Sequence, residues 1–111
     1  MSTVTNMNKE QVEGMLTRRA EMAMAIDELD KEFEGVFCGT RLDTEHVMHI
    51  YQVSVFKEIA KILEAPVTVV QYVENKDKMN PYLGRMWFPF ECCGKKWQVF
   101  VLYEDESEVV V

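Results

Sequence analysis

Cysteine, proline and glycine are all scarce in this chain of 111 residues, at three, three and five. The cysteines are Cys38, Cys92 and Cys93. An odd count with an adjacent pair builds no disulfide framework and predicts a reducing, cytoplasmic setting. No apolar run approaches the roughly 18 residues that cross a bilayer, so no membrane partner is expected. The opening residues Met1 to Asn6 have neither the basic start nor the apolar stretch of a secretion signal. Glycine-rich phosphate loops, GxSxG elbows and HExxH pairs are all missing, and no cofactor is expected.

Also lacking is an excess of basic charge. The net charge is −7, and it is unevenly spread. Residues 8–35 carry eight acidic and four basic side chains, and residues 104–108 add four more acids. The centre, 36–103, holds eight basic and seven acidic residues. Acidity therefore sits at the two ends of the chain. Direct contact with nucleic acid is not expected, because a phosphate backbone calls for clustered Lys and Arg.

What is present reads as one domain over 1–111. Apolar residues make up 48% and charged residues 28%, ordinary for a chain that buries a single core. Asn8 followed by Gln11 resembles a capping box and opens a long helix over 8–34, which Gly35 stops. Val12, Met15, Arg19, Met22, Ile26, Leu29 and Phe33 recur at alternating spacings of three and four. That is a heptad seam interrupted by Arg19, and Leu16, Ala20 and Ala23 widen it. Asp43 is expected to cap a second helix over 43–64, which Pro66 ends. Its apolar face runs through Val47, Met48, Tyr51, Val55, Phe56, Ile59 and Leu63.

The period then changes. Val67 to Val73 is rich in β-branched residues and reads as a strand, and Arg85–Cys92 and Lys95–Tyr103 read as a hairpin turning at Cys93-Gly94. A two-residue turn sets Phe90 opposite Trp97 and Trp87 opposite Phe100, with Glu91 meeting Lys96. Pro89 places its strand at an edge or a bulge. The expected fold is α+β: two helices on a three-stranded antiparallel sheet spanning 67–103, in the order α-α-β-β-β, followed by an acidic tail over 104–111. In that register Met86, Phe88 and Phe90 line one face while Trp87, Phe100 and Leu102 lie on the other. The sheet therefore needs two covers, and either the first helix or another chain supplies the second.

Chemistry-bearing candidates are few. His46 and His49 are three apart, which on a helical turn suits two ligands of one metal. No second HxxH and no CxxC join them, so no metal is expected. Cys93 at a hairpin tip beside Lys95 and Lys96 has the surroundings of a reactive thiol but no walls to hold a substrate. Asp27, Glu28, Asp30, Glu32 and Glu34 form the densest charge run, extended by Glu104, Asp105 and Glu106. Such runs mostly solvate a helix face, and they also suit a protein partner with a basic surface. Arg19 within the apolar seam either fixes the register of a partner or snorkels past the core.

In being short, acidic and free of motifs, the chain resembles many phage-encoded proteins that disable host enzymes. The analogy is one of type and aligns no residues. The expected function is non-catalytic protein–protein interaction, as an acidic inhibitor or adaptor of a basic, nucleic-acid-handling protein. A homodimer is expected through Val12, Met15, Arg19, Met22, Ile26, Leu29 and Phe33, with Trp87 and Phe100 of the sheet. The alternatives are a small enzyme or ligand-binding domain using Cys38, His46, His49 or Cys93, and a structural homo-oligomer subunit.

Overall fold

The computed structural model describes residues 4–36, 46–72 and 81–109. Helix α1 spans Lys9–Glu32 and begins at the capping box: the Asn8 side chain accepts from the Gln11 N–H at 2.8 Å, and the Gln11 side chain accepts from the Asn8 N–H at 2.9 Å. These bonds satisfy two of the amide groups that a helix start leaves open. Beyond its last turn the backbone leaves the helix at Phe33, and Gly35 takes a φ of 86° that side chains disfavour.

Strands β3 (Gly84–Cys92) and β4 (Lys95–Tyr103) form the expected hairpin, with Phe90 opposite Trp97 and Trp87 opposite Phe100. Cys93 and Gly94 have φ values of 57° and 72°, the left-handed pair that a tight hairpin turn requires. Strand β3 lies inside the sheet, but β2 pairs only with its residues 84–87, so Pro89 sits beyond β2 on a locally open edge.

Three expectations are corrected. The sheet has four strands, in the order β1-β4-β3-β2, and is mixed rather than antiparallel. Strand β1 (Val47–His49) lies inside the region read as the second helix and runs parallel to β4. Helix α2 is accordingly short, Val53–Leu63 instead of 43–64, and the element order is α-β-α-β-β-β. The reason lies in β4, whose second edge would otherwise present unpaired backbone groups. The Gln98 N–H donates to the His46 carbonyl and the Ile50 N–H to the Phe100 carbonyl, each at 2.8 Å. The run Val47-Met48-His49-Ile50-Tyr51 is rich in residues that suit a pleated surface, so it pairs instead of coiling. The cap assigned to Asp43 lies outside the described residues, as do Cys38 and Val73.

Helix α2 ends as Pro66 demands. Glu64 turns left-handed at φ 52°, and the Ala65 N–H returns to the Ala60 carbonyl at 2.9 Å. Strand β2 (Thr68–Gln71) then pairs antiparallel with β3 at the far edge of the sheet. The tail is not wholly irregular, since Glu106–Glu108 form one 3-10 turn.

The core lies on one side of the sheet. Met86, Phe88, Trp97, Val99, Val101 and Tyr103 alternate onto this face and are all buried. Phe56, Ile59 and Ala60 of α2 pack there, with the Phe56 and Phe88 rings 5.4 Å apart. Val12, Leu16 and Ala20 of α1 join the same core. Both helices thus cover one face. Trp87, Phe100 and Leu102 lie on the reverse face, half-buried, with neither helix over them.

Candidate interaction surface

Helical geometry splits α1 into two stripes. At about 100° per residue, Val12, Leu16 and Ala20 point one way, while Met15, Met22, Ile26, Leu29 and Phe33 cluster about a third of a turn away. The first set is buried. In the second set Met22 is 61% exposed, Ile26 52%, Leu29 46% and Phe33 47%, with Met15 half-buried. The seam read from the sequence is therefore two surfaces. Val12, counted with the dimer residues, belongs to the chain's own core, whereas Met22 to Phe33 form an outward apolar stripe. Beyond the helix end Val36 is also exposed, at 68%.

A shallow hollow at the N-terminal end of this stripe is lined by Met7, Gln11, Gly14, Met15, Arg18, Arg19 and Met22. Both arginines are exposed on the helix surface. Sequence reading singled out Arg19 and passed over Arg18 and Val36. The signal for Arg18 was available, because it sits next to the seam at the position where helix pairs place charges.

The acidic run divides likewise. Asp27 is buried, and its carboxylate meets the Lys31 ammonium at 3.1 Å, one helical turn on. Asp30 is half-buried, and its Oδ2 is shielded with no hydrogen-bond partner among the described residues. Glu28, Glu32 and Glu34 remain exposed, and of these Glu32 borders the apolar stripe. In the tail, Asp105 Oδ1 accepts from the Ser107 N–H at 2.9 Å, and Glu108 Oε1 accepts from the Glu104 and Asp105 N–H groups at 3.0 Å. The bond from Ser107 holds the Asp105 carboxyl below its ordinary range. Asp105 thus builds a turn, while Glu104 and Glu106 are exposed.

The histidines do not converge. On the strand backbone of β1 they face opposite sides: His46 meets the buried Trp97 ring edge-on at 5.2 Å, while His49 stacks flat on Phe100 at 4.6 Å. The helical turn that made them a ligand pair does not form. Among the described residues no three His, Cys, Asp or Glu side chains gather where a cation would sit.

Cys93 is exposed at the hairpin turn, and Cys92 is half-buried beside α1 near Thr17 and Glu21. Burial, reinforced by the neighbouring Cys93 thiol, pushes Cys92 up to about 11. It stays a protonated thiol at neutral pH and is a poor nucleophile. The hollow beside it is lined by Glu91, Gly94, Lys95 and Lys96 and holds no histidine among the described residues.

Set against known proteins, the chain matches no family model, no curated protein and no solved structure. No helix among the described residues is long and apolar enough to cross a membrane.

Proposed function

We propose that this chain is a non-catalytic interaction protein that engages another polypeptide through the outer stripe of α1. The observation that carries this reading is the set Met22, Ile26, Leu29 and Phe33, four large apolar side chains about half exposed on a helix already anchored by its other face. A helix needs one apolar stripe to dock on its own sheet, and α1 has that stripe in Val12, Leu16 and Ala20. A second stripe adds nothing to the monomer and is the pattern of a helix that packs against a further helix.

Of the exposed acids only Glu32 borders the stripe, and Arg18 lies on the same flank, so a partner with an apolar seam and a charge of each sign along its flank suits it best. The basic-partner reading loses most of its acids here, because Asp27 and Asp105 are engaged in the fold itself and Glu28 points away from the stripe. A photo-reactive residue at position 29, introduced in the cell, tests the proposal. A discrete protein adduct that disappears with Ile26→Asp is expected. A wild-type stripe that yields no adduct under conditions where an exposed control position does so would reject it.

A further inference from the structure

We infer that the partner of the α1 stripe is a second copy of this chain, bound with its α1 antiparallel. The inference rests on the interaction reading above and adds the identity and orientation of the occupant. Its basis is how charge is arranged along the stripe. Arg19, Ile26 and Phe33 occupy one seam position, and Met15, Met22 and Leu29 the other. The flank away from the domain core then carries Arg18, Ala25 and Glu32, one residue per heptad, all exposed. In helix pairs this flanking line sets orientation by charge.

A twofold axis crossing α1 near residues 24 and 25 matches that line with its own reverse. Arg18 comes within two residues of the partner's Glu32, and Glu32 of the partner's Arg18, while Ala25 lies beside the partner's Ala25 where the helices need room. In the seam Met22 meets the partner's Ile26, and Met15 meets the partner's Phe33. Arg19, the polar break in the seam, arrives level with the partner's Leu29 and not with its own copy. Arg18, Arg19 and Glu32 make no ion pair among the described residues, so all three are available for these contacts.

A parallel pair has none of this. It stacks Arg19 on its own copy in the seam, where like charges in partly desolvated surroundings repel. Val12, Leu16 and Ala20, which hold α1 to its domain, all lie in the N-terminal half of the helix. In the antiparallel pair the two domains consequently sit at opposite ends. Twofold pairing of this kind closes on itself and leaves no second stripe to propagate.

The full chain tests the inference by sedimentation equilibrium with exchanged charges. Native protein should sediment as a dimer. Arg18→Glu and Glu32→Arg should each weaken association about tenfold, because every new contact on the flank is repulsive, and the double exchange should restore it. Both positions are exposed, so folding is unaffected, and circular dichroism checks this. A native chain monomeric across micromolar concentrations would overturn the inference. So would a dimer indifferent to either exchange. If the chain is monomeric while position 29 still cross-links to a different protein, self-pairing falls and the interaction reading stands.

Discussion

Gly84 shows how a single residue positions the sheet. A Cβ there would overlap the Val70 carbonyl oxygen and lie 2.7 Å from the Tyr103 hydroxyl oxygen, closer than real side chains approach. The missing side chain lets the Tyr103 ring cross β3 and close the end of the core. Gly84→Ala is therefore expected to destabilise the fold by about 2–3 kcal/mol, since backbone cannot yield as a flexible side chain does. Urea unfolding measures it, and a loss under about 0.5 kcal/mol would contradict the packing. Cys92 belongs to the same scale. It is a half-buried thiol with Thr17 and Glu21 of α1 beside it. Nothing local in Cys92-Cys93-Gly94 announces that helix.

At the scale of elements, strong local signals survived into the structure and weak ones were overruled by pairing. The Asn8–Gln11 box and the Cys93-Gly94 turn are local devices, and both stand where the residues predict. The stretch from His46 to Tyr51 suits a helix by spacing and a strand by residue type. The open edge of β4 decided between them, and no reading of neighbours along the chain contains that edge. Losing those residues from the helix set His46 and His49 on opposite sides of the sheet and undid the spacing that made them a pair. The stripe of α1 was visible as a periodicity, but its division into an inner and an outer surface was not. Where seven apolar or seam positions point depends on which turn docks on the sheet. The two surfaces respond differently to change. Leu16→Ala should lose about 2–4 kcal/mol at any protein concentration, because it opens the core. Ile26→Asp in dilute protein should change monomer stability by less than about 1 kcal/mol, because that side chain is half exposed. Denaturant melts at low concentration compare them, and equal losses would place Ile26 in the core.

The whole molecule has one well-covered face and two surfaces in search of contacts. The sheet face under α1 and α2 is buried from Met86 and Phe88 across to Val99, Val101 and Tyr103, while the reverse face keeps Trp87 and Phe100 half-buried, with His49 lying flat on Phe100. The stripe of α1 is the more exposed of the two, and it carries the charge pattern that orients a partner. The central claim is that the outer half of α1 obtains its cover from another chain. Amide hydrogen exchange along α1, measured on native protein at several concentrations, tests this most directly. Amides 26–32 should exchange quickly in dilute protein and slow markedly as concentration rises, while those of residues 12–20 keep the protection of the core throughout. Equal protection of both halves at every concentration, unchanged by Ile26→Asp, would show that α1 needs no second chain and would contradict the account.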